Sequence, residues 1–360
     1  MTDVVGSTPD ADHHVALPPL RRWAGASGAV FDSDAVAAMA AAGAVLHRID
    51  MRRSATRPTN PVAAARLAAL ARRIEPDVLH GHSSVGGALA RLAGTASRLP
   101  VAYTPNGLVT GAATVRVERL LGRSTAALVA VSNSEAALAR RLNLVKPERI
   151  WLIPNGIDLH PRPPADIPDL RAGLGLPPGV PLVGTVARLV DQKAPEDFVA
   201  VCAEVIRRRP DVHGLLIGMG PLQGLIDQAT ARAGLAGRFH QIHHLPGAGA
   251  VLDQLDVFVL GSRFEGGPYA PLEAMRAGVP VVLSDVVGNR DVVEQGRSGF
   301  LCAFGDIDGM ARATLDLLEH GGRRGAVIEA ATTRLQEHFD VAKMGEAHGA
   351  LYRSLAGLLR

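Results

Sequence analysis

Short apolar runs alternate with helix-patterned segments along almost the whole chain, and that alternation limits the folds open to it. One series of runs lies at 77–82, 100–105, 127–132 and 150–154. A second lies at 182–187, 213–218, 239–244, 257–260 and 279–284. Between them, segments at 61–74, 86–96, 135–142, 194–208 and 221–233 carry apolar residues at helical spacing. Repeated strand–helix–strand order builds parallel sheets with helices on both faces. The proline-rich break Pro161-Arg162-Pro163-Pro164, followed by Pro168 and Pro177-Pro178, separates the two series. A chain of 360 residues is also too long for one ordinary core. The sequence therefore predicts an α/β protein of two Rossmann-like, doubly wound parallel-sheet domains facing across a cleft at their C-terminal strand edges. The expected domains are residues 1–158 and 159–340, with Asn155-Gly156-Ile157-Asp158 as the last turn before the boundary. A final helix over 341–359 has no strand after it and is expected to cross back to the first domain.

The start is shorter than this plan requires. A first strand, a glycine-rich turn and a first helix should precede His13-His14-Val15-Ala16-Leu17. Only a dozen residues stand there, so the first strand and its glycine loop are expected to be missing from residues 1–158. An alanine-rich helix is expected at 35–42.

No apolar run reaches the roughly 18 to 20 residues that span a bilayer. The first twenty residues carry no apolar core of a signal peptide. Cys202 and Cys302 show neither metal nor redox spacing, which fits a cytoplasmic protein. Residues 1–158 hold 18 Lys and Arg against 12 Asp and Glu, whereas residues 159–360 are slightly acidic. A basic, aromatic-poor first half points to an anionic acceptor or peripheral contact with a membrane surface, and away from nucleic acid. Scattered solvated arginines explain the same excess more simply.

The segment Ser262-Arg263-Phe264-Glu265-Gly266-Gly267-Pro268-Tyr269-Ala270-Pro271-Leu272-Glu273 carries the sharpest chemical signal. Two carboxylates stand eight residues apart, with Gly-Gly-Pro between them. An apolar run precedes the segment, and a helix-like run from Leu272 follows to Gly278. Glycines let backbone N–H groups approach a ligand, and a helix N-terminus favours an anion. The carboxylates suit sugar and ribose hydroxyls, and an anionic ligand rich in hydroxyls describes a nucleotide sugar. A pair of carboxylates on a solvated helix face is the plain alternative.

The second signal is Gly184-Thr185-Val186-Ala187-Arg188-Leu189-Val190-Asp191-Gln192-Lys193. A strand ends in a loop carrying Arg188 and, at a helix start, Lys193. A cation is unfavourable at a helix N-terminus unless an anion joins it. Two fixed cations facing a diphosphate can do the work of a divalent metal.

Six segments in order make the chain resemble retaining glycosyltransferases of family 4. They are Asp77-Val78-Leu79-His80-Gly81-His82-Ser83-Ser84, Val131-Ser132-Asn133-Ser134-Glu135 and Ile153-Pro154-Asn155-Gly156-Ile157-Asp158. The others are the Arg188/Lys193 loop, Gly218-Met219-Gly220-Pro221 and the Glu265–Glu273 loop. The resemblance covers residues from about 75 to the end and implies the two-domain GT-B fold. It implies that Arg188 and Lys193 hold the donor diphosphate, that Glu273 binds the ribose and that Glu265 binds the donor sugar. Gly266 and Gly267 would offer backbone N–H groups. Gly218, Gly220 and His244-Leu245-Pro246 would lie near the base. No metal and no cofactor are implied.

In the first domain His82 and His80 point the same way, because strand side chains repeat every two residues. His82 is a candidate for the catalytic edge, or equally a satisfied strand-end histidine. The family often places a histidine after the next strand, where Thr104-Pro105-Asn106-Gly107 puts Asn106. Asn106 can donate to a sugar hydroxyl but cannot act as a titrating base, and Asn106-Gly107 also reads as a turn. Ser132 with Glu135 reads as a helix capping box. His243-His244 reads as a strand end.

The resemblance thus implies a retaining, metal-independent, front-face transfer of a hexose from a nucleotide sugar, with UDP-sugar favoured, to a hydroxyl acceptor. A glycolipid, a polysaccharide precursor and a small natural product all remain open as acceptors. The alternatives are a nucleotide-sugar epimerase of the same fold and a catalytically silent binding or partner subunit.

Overall fold

The computed structural model describes residues 5, 8, 11–18, 33–51, 59–162, 166–245 and 247–357. Most of the residues before His14, Pro163-Pro164 in the expected boundary, Pro246, and the last residues of the chain lie outside them. The chain divides into two compact units, residues 1–156 with 341–360 and residues 157–340.

The first unit runs β1 (His14–Leu17), α1 (Ser33–Ala41), β2 (Val45–Arg48), α2 (Thr59–Ile74), β3 (Leu79–His82), α3 (Ser83–Ser97), β4 (Val101–Thr104), α4 (Ala112–Gly122), β5 (Ala127–Ala130), α5 (Asn133–Arg141) and β6 (Ile150–Leu152). All its strand pairs are parallel. β1 and β2 form one sheet, and β3-β4-β5-β6 form another in that order. Every residue of β4 and β5 is buried. That is why β5 reads as an unbroken apolar run, and β4 as one up to Thr104, rather than as an alternation. The terminal helix Val341–Ala356 belongs to this unit. Its Met344, Leu351 and Leu355 pack with Ala102, Ala127, Val129 and Ile153 on one face of the four-stranded sheet.

The second unit runs α6 (Leu170–Gly173), β7 (Leu182–Val186), α7 (Pro195–Arg208), β8 (His213–Ile217), α8 (Gln223–Arg232), β9 (Phe239–Ile242), β10 (Val257–Leu260), α9 (Tyr269–Arg276), β11 (Val281–Ser284), α10 (Asn289–Val292), β12 (Phe300–Cys302), α11 (Ile307–Glu319) and α12 (Gly321–His338). Its six parallel strands are ordered β12-β11-β10-β7-β8-β9. Alternate strand residues enter opposite cores. Leu182, Leu215, Phe258 and Leu283 face Leu272, Met275 and Leu335. Val183, Leu216, Val257 and Val282 face Phe198, Val205, Met310 and Leu317. With both faces covered, central β10 reads as a continuous apolar run and β11 as one up to Ser284, whereas edge strand β9, Phe-His-Gln-Ile, is half-buried throughout and does not. The chain leaves β7 toward β8 and β9, then returns to the other side of β7 at β10. The reversal lies between β7 and β10. An open α/β sheet offers a ligand crevice at such a switch, outside the carboxyl ends of the strands.

Candidate active site

The two sequence signals of the second unit both land at that switch. The Arg188/Lys193 loop follows β7, and the Glu265–Glu273 segment follows β10. Lys193 ends a one-turn 3-10 helix, Asp191–Lys193, just before α7. Its ammonium donates to Glu265 Oε1 at 2.6 Å. The pair is nearly dry, with side chains 17% and 5% exposed. Three further bonds join the loops. Gln192 Nε2 donates to Phe264 O at 3.1 Å, Arg263 N to Gln192 O at 2.8 Å, and Arg263 Nη2 to Glu196 Oε1 at 2.8 Å. Arg188 is exposed and makes no ion pair among the described residues, so its guanidinium is open to an anion from solvent.

Glu265 is buried, and Ser262 Oγ donates to the same Oε1 at 2.5 Å. Gly266 is buried and Gly267 half-buried behind it. The helix that follows begins at Tyr269, earlier than the expected Leu272, so Glu273 sits in its second turn. Glu273 packs against the chain after β9: a Cβ at Gly249 would lie 3.3 Å from its carboxyl carbon.

Gly218 and Gly220 have a packing reason of their own. Gly218 adopts φ +149°, and a Cβ there would come 1.9 Å from Ala187 O. One at Gly220 would come 2.3 Å from Leu189 O. Both glycines let the loop after β8 lie directly on the loop after β7, where Leu189 N donates to Met219 O at 3.0 Å. His244 is exposed beyond the end of β9, and Leu245 packs on the edge of one core cluster.

In the first unit His82 closes β3 and stacks on His80, with ring centroids 4.2 Å apart. His80 is tied on both nitrogens, to Tyr352 Oη at 2.8 Å and to Thr104 Oγ1 at 2.7 Å. Burial pushes His82 down to about 3 and His80 well below the usual histidine range. Both are therefore neutral imidazoles at physiological pH. Asn106 is exposed on a left-handed turn at φ +56°.

Sequence reasoning missed the use made of Glu135. A capping box would return its carboxylate to the N-cap amide. Ser132 Oγ does accept Glu135 N at 3.2 Å, as a cap should. The carboxylate accepts from Val131 N at 2.9 Å and from Gly107 N at 2.8 Å. It thereby fixes the Asn106-Gly107 turn from 28 residues away, and no local pattern announces such a contact.

Among the described residues, no group of three or more His, Cys, Asp or Glu is placed to hold a metal ion. Among them, no helix is long and apolar enough to cross a membrane.

Two family models match. The one described as Glycosyltransferase Family 4 covers residues 13–160, and the one described as Glycosyl transferases group 1 covers residues 180–320. The chain is 30% identical over 216 residues to the lipopolysaccharide core biosynthesis mannosyltransferase LpsB of Rhizobium meliloti (strain 1021), covering 56% of this chain and 62% of that protein. It is 31% identical over 251 residues to the UDP-Gal:alpha-D-GlcNAc-diphosphoundecaprenol alpha-1,3-galactosyltransferase of Escherichia coli, covering 66% and 65%. The matches thus span less than two thirds of each relative. The crystal structure of Anabaena Alr3699/HepE in complex with UDP and glucose superposes with a TM-score of 0.82 at 20% identity, covering 98% of this chain and 94% of that one. That likeness gives the fold, two Rossmann-like domains of the GT-B type. Two family models in sequence order, on that fold, make this chain a member of the family 4, group 1 glycosyltransferases.

Proposed function

We propose that the protein transfers a hexose from a nucleotide sugar, with UDP-sugar favoured, to a hydroxyl acceptor, with retention at the anomeric carbon and without a metal. The observation that carries this reading is the convergence of the Arg188/Lys193 loop and the Glu265–Glu273 segment on the β7–β10 switch. Arg188 and Lys193 would neutralise the diphosphate as the nucleotide leaves. Glu273 would accept hydrogen bonds from the ribose hydroxyls and Glu265 from the sugar. In a front-face route the departing phosphate oxygen takes the acceptor proton, so no protein base is required. His82, pushed down to about 3 by burial and so a weak proton acceptor, and the non-titrating amide of Asn106 fit such a route.

The acceptor is a hydroxyl compound of the glycolipid, polysaccharide-precursor or small-molecule class. The lipid-linked acceptor in the Escherichia coli relative's name supports the first of these and peripheral contact with a membrane. A cytoplasmic location accords with Cys202 and Cys302, both free thiols.

A panel of UDP-, GDP-, ADP- and dTDP-sugars incubated with purified protein tests the reading, with nucleotide release and thermal shift as readouts. UDP should raise the melting temperature, and one UDP-sugar should be consumed. Proton NMR of early product from an α-linked donor should show an α linkage. A β-linked product excludes retention. A protein that neither turns over nor is stabilised by any donor is the silent subunit instead, a reading that Asn106 favours.

A further inference from the structure

Glu265 sits at the head of a Gly-Gly turn, a context that by itself leaves a carboxylate free to wander. A buried chain of hydrogen bonds removes that freedom. Ser262 Oγ donates to Glu265 Oε1 at 2.5 Å, beside the bond from Lys193. Ser284, the last residue of β11, donates its Oγ to Ser262 O at 2.6 Å. Asn289, the first residue of α10, donates Nδ2 to Ser284 O at 3.0 Å and to Ser284 Oγ at 3.2 Å. The Asn289 bond occupies a lone pair of the Ser284 hydroxyl and leaves its proton for Ser262. Ser262, Ser284 and Asn289 are each 0% exposed.

The backbone repeats the linkage. Glu265 N donates to Val287 O at 3.0 Å. Gly288, at φ +88°, lies so close that a Cβ there would come 2.7 Å from Gly266 O. The loop after β11 is thus fitted against the loop after β10.

One feature of Asn289 argues for more than filling space. Its Oδ1 is buried and has no hydrogen-bond partner among the described residues. An orphaned acceptor keeps its desolvation penalty, and an apolar side chain would not incur it. What the amide supplies is the donor end of the path to Glu265. Satisfied in sequence, such a path rigidifies the groups it joins.

We propose that Ser284 and Asn289 are positioning residues for the donor sugar, acting through Ser262 to hold the Glu265 carboxylate against Lys193. Being fully buried, they reach a ligand only through Glu265. They should therefore affect the sugar half of the donor and spare the nucleotide half, which Arg188 and Glu273 serve. The inference rests on the donor reading of this site.

The test compares UDP with UDP-glucose by calorimetry on the full chain. Ser284→Ala and Asn289→Ala should weaken UDP-glucose about tenfold, the loss of roughly one good hydrogen bond, and change UDP by less than about twofold. Ser284→Thr, which keeps the hydroxyl, should restore the wild-type ratio of the two dissociation constants. Ser262→Ala deletes only the hydroxyl on Oε1, keeps the carbonyl that Ser284 uses, and should move the ratio the same way. It carries the test if either other variant fails to fold. Equal weakening of both ligands, or an unchanged ratio in folded variants, overturns the proposal while leaving the donor reading intact. Wild-type protein that binds neither ligand overturns the donor reading, and this inference with it.

Discussion

Lys193 and Glu265 are 72 residues apart in sequence and 2.6 Å apart in space. The contact joins the cationic loop after β7 to the carboxylate loop after β10 at the point where the strand order reverses. If the donor diphosphate binds there, as proposed, it shares with Glu265 the three N–H donors of one ammonium. The two partners should therefore respond in opposite ways to removal. Lys193→Ala takes away a charge-assisted bond of about 1.5–3 kcal/mol and should weaken UDP binding roughly ten- to hundredfold. Glu265→Gln releases Lys193 and should leave UDP binding as tight or tighter, while lowering UDP-sugar turnover. Equal losses of UDP affinity in both variants would count against a competing diphosphate.

On the proposed reading, Glu273 makes a second, separable contribution. It stands in the second turn of α9 with Gly249 against its carboxylate. Glu273→Ala should reduce UDP-sugar use by roughly ten- to hundredfold, from loss of a charge-assisted bond to a hydroxyl. Its melting temperature without ligand should stay near wild type, because the side chain is half-buried and belongs to no core cluster. Wild-type kinetics would remove Glu273 from the site.

The sequence exposed this unit's central strands because they are buried on both faces. Val257–Leu260 is apolar at every position for that reason. The strands His14–Leu17 and Val45–Arg48 were harder to see. They are short, and exposed His14 and Arg48 break their apolar runs. The helices Ile307–Glu319 and Gly321–His338 passed unmarked, since no motif drew notice to them. Within the site, residue types and loop positions were legible, but contacts were not. Lys193 with Glu265, and Glu135 with Gly107, are joined by topology rather than by spacing.

Acid should weaken the first unit. His80, His82 and His348 are all pushed down by burial, His82 to about 3. Their folded values lie below the unfolded value of about 6.5, so below pH 6.5 the unfolded chain binds more protons than the folded one. The stability they contribute is complete above that pH and is lost as pH falls toward the folded values. Each such group steepens the loss by up to about 1.4 kcal/mol per pH unit. Urea unfolding between pH 7.5 and 5 should show this slope, and His82→Asn should flatten it without touching the two bonds of His80. An unchanged slope would place the acid sensitivity elsewhere.

If Arg188 and Lys193 supply the charge that a divalent ion otherwise would, chelation should matter little. Donor turnover in excess EDTA should stay close to that in buffer and should fall with added salt, because exposed Arg188 is screened. Complete loss with EDTA, restored by magnesium or manganese, would show that the two cations do not suffice.

A buried ion pair of the first unit gives the last prediction. Arg91, 1% exposed, donates Nη1 to Glu118 Oε2 at 2.7 Å and Nη2 to Oε1 at 3.3 Å. Tyr103 Oη donates to the same Oε1 at 3.2 Å, and the guanidinium lies 3.9 Å above the Tyr103 ring. The group ties α3 and α4 to β4, whose end leads into the Asn106 turn. Removing one partner strands a charge in the core, so Arg91→Met or Glu118→Leu should each cost about 3–5 kcal/mol. Removing both strands no charge, so the double variant should cost less than the sum, with the Tyr103 hydroxyl left as the remaining deficit. Adding Tyr103→Phe removes that donor and should recover further stability. Urea unfolding of the five proteins decides it. Additive losses across the cycle would mean that the three side chains act independently, and that packing rather than the charge pair holds α4 in place.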